Sequence, residues 1–387
     1  MKSITEEIER LSDLGLKRTL LRVDGPQGPR VIIEGQERIL LCSNDYLGLA
    51  SHPALKEAAV KAVEAYGVGS GASRLVSGSM APHMELEERI RAFKGTEDAL
   101  LFNSGYNANI GILTALADRS TDVFSDRFNH ASIVDACILS RARVRRYAHA
   151  DAGSLERMLK SSTAAKKLVV TEGIFSMDGD IAPLEEILWL VEKYDATLIL
   201  DDAHATGVLG KGGRGTLAHL GLEENPFIIQ VGTLGKALGT FGAFVAGGED
   251  VIELLRSKAR TFVYTTSLPP AICAASITAF DMVEQNPFLR KRLWENVRYF
   301  KEGLGRLALA TVSSTQIIPV VVGSAEETME ISLRLLEKGV FIQGIRPPTV
   351  PDNTSRLRVT VTAAHTKEDL DTALSAIKEV FPGGTFL

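Results

Sequence analysis

The chain has 387 residues, of which 45% are hydrophobic and 24% are charged. A chain of this length is expected to form two or three domains, or one large domain with an appendage, and its composition excludes a disordered or fibrous protein. Lys and Arg number 43 against 48 Asp and Glu, which gives a formal charge of -5, and no basic block could follow a phosphate backbone. We therefore do not expect nucleic acid as a partner.

The three cysteines, Cys42, Cys137 and Cys273, lie far apart and form no CxxC pair. This spacing supports neither a disulfide framework nor a thiolate zinc site. Glu6, Glu7 and Glu9 precede any apolar stretch, which is the wrong charge sign for a secretory signal, and no apolar run reaches the roughly 18 residues of a membrane span. We expect a cytoplasmic protein that does not contact a membrane.

The first elements in chain order are helical. Residues 4–23 are predicted to form one amphipathic helix, followed by a turn between Gly25 and Pro29 and a short two-stranded piece. From about Asp98, short apolar runs alternate with helix-length segments, which is the pattern of a parallel sheet with crossover helices. The predicted strands are Ala99 to Phe102, Val123 to Ser125, Lys167 to Thr171, Thr197 to Leu200, Phe227 to Val231 and Ala243 to Ala246.

A second, smaller α/β unit is predicted beyond Pro269 and Pro270, beginning with a long helix from about Pro287 to Leu309. We divide the chain into an N-terminal helix with short strands (1–45), a large domain (46–285) and a small C-terminal domain (286–387). The remaining predicted elements are the strands Gln316 to Val322, Val340 to Ile342 and Leu357 to Thr362, and helices near Ala325 to Lys338 and Lys367 to Val380.

Polar residues follow several of the predicted strands. Asp201 ends one strand, Lys236 follows the next strand along the chain, and Ser104 with Gly105 begins the helix after another. Ligands of open parallel sheets bind beyond the carboxyl ends of the strands. These groups are therefore expected to meet at one edge of the sheet.

A lysine, an aspartate and a helix N-terminus are the groups that pyridoxal 5'-phosphate requires. The amine can form a Schiff base, the carboxylate can hold a proton on the pyridine nitrogen, and helix amides can bind the phosphate. His204, three residues after Asp201, could reach the phenolic oxygen, and His130 could stack on the ring. Each residue taken alone could equally be a helix cap, a solvated charge or a core histidine.

Other cofactor motifs are not met. The glycine-rich run 67–71 follows a predicted helix and lacks the dinucleotide spacing, and Gly235 with Lys236 is followed by Ala237 instead of the hydroxyl residue of a P-loop. The seven histidines contain no HExxH pair. Neither a nucleotide-dependent dehydrogenase nor a metal enzyme is expected.

Six short motifs follow one another along the chain: Ser43 to Leu49, Ser104 to Tyr106, Asn129 to Ser132, Thr171 to Asp180, Asp201 to His204, and Gly235 with Lys236. In this order they resemble the α-oxoamine synthases, a branch of the fold-type I pyridoxal-phosphate enzymes, over essentially the whole chain. The resemblance implies an α/β transferase whose large domain contains a mostly parallel seven-stranded sheet, joined to a smaller C-terminal α/β domain. It also implies a homodimer.

The resemblance assigns roles to the matching positions. It implies that Lys236 is the Schiff-base lysine and catalytic base and that Asp201 lies at the pyridine nitrogen. It places His204 at the phenolic oxygen and His130 over the ring face. The other implied cofactor contacts are Gly105, Tyr106, Ser176 and Thr233, with Thr265 and Thr266 reaching the phosphate of the partner subunit.

The resemblance also implies the reaction, because members of this family condense an amino acid with an acyl thioester and release carbon dioxide. The run Arg346 to Pro351 resembles the branch that uses L-alanine and a pimeloyl thioester in biotin synthesis. Arg346 and Thr349 are then expected to hold the amino acid together with His130, and Arg18 is expected to meet the distal carboxylate of the acyl chain.

Three questions stay open at this point. One alternative is 2-amino-3-ketobutyrate CoA ligase, which condenses glycine with acetyl-CoA, although the Arg-Pro-Pro-Thr run beginning at Arg346 argues against it. Another is a cofactor-binding protein that keeps the fold without turnover. The acyl carrier, coenzyme A or an acyl carrier protein, is also undecided.

Overall fold

The structure is a computed structural model that describes residues 3–222, 225, 227–309 and 311–381. Residues 1–2 of the first predicted unit (1–45) and residues 382–387 of the last predicted unit (286–387) therefore lie outside the described residues. The helices are α1 (Ile4–Asp13), α2 (Pro53–Tyr66), α3 (Ala81–Lys94), α4 (Gly105–Leu116), α5 (Ala131–Ser140), α6 (Ala152–Lys160), α7 (Leu184–Lys193), α8 (Thr216–Leu220), α9 (Glu249–Lys258), α10 (Arg260–Val263), α11 (Pro270–Gln285), α12 (Pro287–Arg306), α13 (Ala325–Glu337) and α14 (Lys367–Val380).

The strands form three sheets, and their bounds agree with the predicted strands to within one to three residues in most cases. The strands are β1 (Val23–Asp24), β2 (Arg30–Ile33), β3 (Gln36–Leu40), β4 (Asp98–Phe102), β5 (Thr121–Asp126), β6 (Arg143–Tyr147), β7 (Lys166–Glu172), β8 (Thr197–Asp201), β9 (Ile228–Thr233), β10 (Ala243–Gly247), β11 (Ile317–Gly323), β12 (Val340–Phe341), β13 (Gln343–Ile345) and β14 (Ser355–Thr360).

The first helix is shorter than the sequence predicts. α1 ends at Asp13, so the expectation of one helix over residues 4–23 is wrong. Gly15 has a φ of 64°, a left-handed conformation that commonly ends a helix. The amides of Leu16 and Lys17 both bond back to the carbonyl of Leu11, which turns the chain away from the helix axis.

The central sheet has seven strands in the order β4-β10-β9-β8-β7-β5-β6. β10 is antiparallel to both of its neighbours, and the other pairs are parallel. The six predicted strands of this region are confirmed. β6 was not predicted because its sequence, Arg-Val-Arg-Arg-Tyr, is mostly charged, a composition that suits an exposed edge strand.

Helices cover both faces of this sheet. On β8, Ile199 packs into the same apolar cluster as Ile112 of α4, while its neighbour Leu198 packs into a cluster with Leu188 of α7. Successive strand residues point to opposite faces, so a strand that is apolar throughout needs cover on both sides. This explains the continuous apolar runs in the sequence.

The C-terminal elements form a smaller unit around a three-stranded antiparallel sheet in the order β11-β14-β13. The predicted strand Val340 to Ile342 is divided: β12 pairs with β3 near the N-terminus, whereas β13 joins β14. The first and last predicted units of the chain therefore share a sheet.

The parallel strands bring their polar ends together. Glu172 at the end of β7 pairs with Asp201 at the end of β8, which pairs in turn with Val231 of β9, five residues before Lys236.

Across residues 3–222, 225, 227–309 and 311–381, no helix combines the length and apolar character needed to cross a membrane.

Candidate active site

Lys236 lies in the turn after β9, and its amine contacts a histidine. Its Nζ atom is 2.8 Å from Nε2 of His204. The other ring nitrogen, Nδ1, is 2.6 Å from the hydroxyl of Tyr46, a fully buried residue after β3. The structure thus brings together Lys236 and His204, as predicted, and adds Tyr46 to the site.

Asp201 is buried and is held by groups from α4 and from its own turn. Its carboxylate accepts hydrogen bonds from Nδ2 of Asn109 at 2.8 Å and from the amide of Ala203 at 3.1 Å. The same Asn109 amide donates to Oγ of Ser132, which lies 2.9 Å from Nδ1 of His130. The carboxylate predicted for the pyridine nitrogen and the histidine predicted for the ring face are therefore connected through two polar side chains.

A second carboxylate lies beside Asp201. Glu172 is buried at the end of β7 and accepts a hydrogen bond from the amide of His130 at 2.7 Å. Burial, together with the nearby charge of Asp201, raises the pKa of Glu172 to about 8, although Lys236 opposes this shift. Near neutral pH the carboxyl group of Glu172 is therefore mainly protonated.

The lysine amine is itself shifted toward neutrality. Burial lowers the pKa of Lys236 to about 8, and the carboxylates of Asp201 and Glu172 oppose this shift. Burial and the neighbouring Lys236 and Arg358 charges hold the pKa of His204 well below its usual value. His204 is therefore neutral, and the amine is available as a nucleophile or base near physiological pH.

Arg358 is a buried arginine that the sequence reading missed. It lies on β14, where its Nε atom donates to the carbonyl of Ser176 at 2.6 Å and its Nη1 atom donates to Oδ1 of Asn44 at 3.2 Å. Its neighbours on the strand, Leu357 and Val359, are fully buried. An arginine between two core positions of a strand was a signal in the sequence, because such burial requires polar partners.

Gly105 and Tyr106, the predicted cofactor contacts, begin helix α4. Ser104 caps the helix by accepting from the amide of Asn107 at 3.1 Å. The amides of Gly105 and Tyr106 belong to the first helical turn, which has no carbonyl partner within the helix. Tyr106 is partly exposed, and its hydroxyl contacts the carboxylate of Asp135. Free amides and a helix dipole suit a phosphate group.

The remaining predicted cofactor contacts have their own partners. The hydroxyl of Thr233 donates to the carbonyl of Gly242 at 3.1 Å and accepts from the amide of Gly235 at 3.3 Å, which shapes the turn that carries Lys236. Ser176 is buried on the wall of a cavity that also contains His130.

This cavity has a volume of about 690 Å³ and contains several predicted substrate contacts. Arg18 and Thr349 line it together with His130, Ser176 and the ring of Phe175. The size is in the range of small-molecule sites. The structure therefore places Arg18 and Thr349 in one cavity with His130, whereas Lys236, Asp201 and His204 do not line it.

Arg346 lies in an adjoining cavity of about 760 Å³ that shares Arg18 and Thr349 with the first. Its guanidinium contacts the sulfur of Met329 at 2.8 Å and the carbonyl of Lys17 at 3.4 Å. None of the described hydrogen bonds joins Arg346 to Lys236, His204 or Asp201. That Arg346 holds the amino acid stays a prediction.

Thr265 and Thr266 follow α10, away from Lys236 along the chain. The backbone of Thr266 forms an isolated antiparallel bridge with Ser73, and its carbonyl accepts from Asn103 at 2.8 Å. The side chain of Thr266 is exposed. The prediction that these threonines reach a partner's cofactor stays a prediction.

The fold and this group of residues define the class of protein. A mostly parallel α/β sheet with a lysine, an aspartate and a helix N-terminus at its carboxyl edge is the arrangement of a fold-type I pyridoxal-phosphate enzyme, and the predicted fold class is confirmed. The chain belongs to the aminotransferase class I and II family, whose family model matches residues 36–377.

Its relatives are similar over nearly their whole length. The 8-amino-7-oxononanoate synthase of Geotalea daltonii is 54% identical over 385 residues, covering 98% of both chains. The enzyme of the same name from Geobacter metallireducens is 54% identical over 386 residues, covering 99% of this chain and 98% of the relative. These identities support the 8-amino-7-oxononanoate synthase branch of the family.

Solved structures agree with this assignment of fold. A serine palmitoyltransferase from S. paucimobilis with bound PLP-myriocin superposes with a TM-score of 0.92 at 33% identity, covering 98% of this chain and 96% of the other. The 8-amino-7-oxononanoate synthase of Francisella tularensis has a TM-score of 0.76 at 30% identity, covering 88% and 97%.

Proposed function

We propose that this protein catalyses the reaction of an 8-amino-7-oxononanoate synthase. L-alanine and a pimeloyl thioester condense to 8-amino-7-oxononanoate with release of carbon dioxide and free thiol, a step of biotin biosynthesis. The observation that carries the proposal is the Lys236 amine at 2.8 Å from His204, at the same sheet edge as the paired carboxylates Asp201 and Glu172. The names of the full-length relatives support the choice of substrates and do not favour the glycine-using sibling.

The donor set fits pyridoxal 5'-phosphate. Lys236 would carry it, Asp201 would face its pyridine nitrogen, and the first amides of α4 would hold its phosphate. His130 would contact the ring face and His204 the phenolic oxygen. When bound, the cofactor supplies an electron sink for the carbanion and for the electrons left by departing carbon dioxide.

The protein's own residues perform the proton transfers. Because its pKa is lowered to about 8, the Lys236 amine can take up the α-proton of alanine and return a proton later. Asp201 stays in place for this because Asn109 and the amide of Ala203 both donate to it. The carboxylate of Asp201 would then favour a protonated pyridine nitrogen.

We assign the carboxylate of alanine to Arg358 in preference to Arg346. Arg358 is 7% exposed; it contacts Asn44, which reaches His204 through Tyr46, and Ser176, which lines the cavity of His130. A guanidinium binds a carboxylate through two parallel hydrogen bonds. Arg346 would instead serve the adjoining cavity, whose walls include several leucines.

The acyl chain would occupy the two joined cavities. Arg18 lines both of them and is exposed, so its guanidinium is available to the distal carboxylate of a pimeloyl chain. Thr349 also lines both and stands between the predicted positions of the two substrates. A cationic Arg18 in this position would favour an acyl chain with a distal carboxylate over a plain fatty acyl chain.

We further infer a cytoplasmic homodimer in which Thr265 and Thr266 complete the site of the partner subunit. Large apolar side chains are exposed on both sides of the Ser73–Thr266 bridge, at Val76 and Tyr264, with exposed fractions of 79% and 72%. Exposed apolar residues grouped in this way suit a subunit interface. The division of the chain at residues 45 and 285 stays a prediction.

A substrate panel tests the proposed reaction. Purified protein with pyridoxal 5'-phosphate is mixed with L-alanine, glycine or L-serine, each with pimeloyl-CoA, acetyl-CoA or palmitoyl-CoA, and thiol release is followed. We expect the highest rate for L-alanine with pimeloyl-CoA. Glycine with acetyl-CoA as the best pair would support the sibling reading, and serine with palmitoyl-CoA would support a palmitoyltransferase.

Two lysine variants control this panel. Lys236→Ala should lose thiol release by several orders of magnitude, on the order of the cost of removing a covalent catalytic group. The exposed Lys258, changed to Ala, should keep the wild-type rate. Thiol release from no pair in the wild-type protein would favour a fold retained without turnover.

A further inference from the structure

Four polar side chains form a line of hydrogen bonds, the file, which begins at the amine of Lys236 and runs through His204, Tyr46, Asn44 and Arg358. Nε2 of His204 faces Lys236 at 2.8 Å, and Nδ1 of the same ring faces the hydroxyl of Tyr46 at 2.6 Å. That hydroxyl lies 3.0 Å from Oδ1 of Asn44, which also receives Nη1 of Arg358 at 3.2 Å. The file runs from one cationic side chain to another.

The two ends decide the direction of every hydrogen bond in the file. A guanidinium can only donate, so the Asn44 atom that faces Arg358 is its oxygen, which can only accept. Within the file Tyr46 then donates its own proton to Asn44, and its oxygen accepts from His204, with Arg358 and Gln316 as further neighbours of the hydroxyl. The histidine proton then lies on Nδ1, and Nε2 is an acceptor for Lys236.

Because Tyr46 and His204 are buried, a reversed hydrogen bond would leave a polar group without a partner. Tyr46 is 0% exposed and His204 is 5% exposed, so neither side chain is open to bulk solvent. The amide of Tyr46 donates to the carbonyl of Asn44 at 2.8 Å, and its carbonyl accepts from Ala363 at 2.8 Å, which fixes the position of the ring. A buried donor without an acceptor is costly.

We propose that Tyr46 is a positioning residue that holds neutral His204 with its proton on Nδ1 and so presents Nε2 to Lys236 as a hydrogen-bond acceptor. An acceptor at this distance stabilises the ammonium form of Lys236 and limits how far burial favours the neutral amine. The inference deepens the proposed function and rests on it only for the role of Lys236 as the reacting amine.

The test uses the full-length protein without cofactor, so it does not depend on turnover. Histidine is labelled with nitrogen-15, the His204 signals are assigned with a His204→Gln variant, and long-range proton–nitrogen NMR reports which ring nitrogen carries the proton. We expect Nδ1 to be protonated in the wild type. In Tyr46→Phe the proton should move to Nε2, because Nδ1 loses its acceptor.

The same variant should change the reactivity of the lysine. A protonated Nε2 donates to the neutral amine instead of accepting from the ammonium, so the pKa of Lys236 should fall further. The charged groups that face Lys236, namely Asp201, Glu172 and Arg358, are unchanged by this substitution. Acylation of Lys236, followed by mass spectrometry at pH 7, should become up to about tenfold faster.

Two further variants keep the proposal falsifiable. Tyr147 is also fully buried, and none of the described hydrogen bonds joins it to Lys236, His204 or Tyr46, so Tyr147→Phe should alter neither measurement. Asn44→Ala retains Tyr46 but frees its proton for Nδ1, so it should also produce the Nε2-protonated ring, and it decides the matter if Tyr46→Phe does not fold. Protonated Nε2 in the wild type, or an unchanged ring in Asn44→Ala, would overturn the proposal, whatever reaction the enzyme catalyses.

Discussion

Two arginines near the end of the chain occupy different surroundings. Arg358 lies inside a buried strand and donates to Ser176 and to Asn44. Arg346 lies in a loop and contacts a methionine sulfur and a backbone carbonyl in the neighbouring cavity. Their different surroundings predict different consequences for the two substrates.

The first prediction concerns the amino acid. Arg358→Lys keeps a positive charge but loses the paired donors, so the KM for L-alanine should rise by at least about tenfold, as expected for loss of a charge-assisted contact of roughly 1.5 to 3 kcal/mol. Arg346→Lys should change the KM for alanine much less. Steady-state kinetics with alanine varied at saturating pimeloyl-CoA measures both.

Thermal unfolding of both variants serves as the control, because Arg358 also joins β14 to the loop that contains Ser176. A folded Arg358→Lys protein with an unchanged KM for alanine would contradict this assignment. A large rise in Arg346→Lys alone would restore the original prediction for Arg346.

At the scale of elements, one histidine connects two loops of the site. His149, after β6, contacts Asp126 at the end of β5 at 3.0 Å and Asp180 in the loop after β7 at 2.9 Å. Its ring packs against Phe128 and Phe175, which line the cavity with His130. The contact therefore holds the loop before α5 against the loop of Ser176.

The second prediction is a pH dependence of stability. Burial alone would lower the pKa of His149, but its hydrogen bonds to Asp126 and Asp180 raise it to about 10. A raised pKa means that the folded state holds this proton more tightly than the unfolded chain, in which the pKa is near 6.5. The stabilisation is therefore complete below about pH 6.5 and is lost as the pH rises toward 10.

Urea unfolding at pH 6.5 and pH 9 measures this effect. His149→Asn should be less stable than the wild type at pH 6.5 by about 1.5 to 3 kcal/mol, the value of hydrogen bonds to charged groups, and the difference should shrink at pH 9. The exposed His219 provides the control as His219→Asn. An equal loss at both pH values would show that His149 contributes packing without charge.

At the scale of the whole molecule, the third prediction concerns shared sites. If Thr265 and Thr266 complete the partner's site, subunits carrying Lys236→Ala and subunits carrying Thr265→Ala with Thr266→Ala should restore each other when mixed. Random pairing places one intact site in each heterodimer, so the mixture should reach about one quarter of wild-type activity. The rate of thiol release after unfolding and refolding the mixture measures this recovery.

A second mixture provides the matched control. Lys236 and Asp201 lie in the same subunit's site, so mixing Lys236→Ala with Asp201→Asn leaves every site defective and should restore nothing. Recovery in both mixtures would point to subunit exchange artefacts. Recovery in neither would mean that each chain completes its own site.

The sequence by itself determined the architecture and predicted several residues of the candidate site. Strands of a sheet covered on both faces are apolar throughout, so β4, β5, β7, β8, β9 and β10 were visible as runs. Polar residues at their ends, Asp201 and Lys236 among them, were then placed at one edge by the geometry of parallel strands. Local pattern was enough because each of these features lies within a few residues.

Only the tertiary structure decided which side chains complete the site. Tyr46 and Asn44 come from the N-terminal region, Asn109 from α4, and Arg358 from the last strand, and no sequence period connects them. The sequence pattern did not predict edge strand β6, because its residues are mostly charged. It also did not predict the early end of α1, because a single left-handed glycine, Gly15, follows the helix. Hydrogen bonds between residues hundreds of positions apart arise from chain packing, and packing is what assigned Arg358 and Tyr46 to this site.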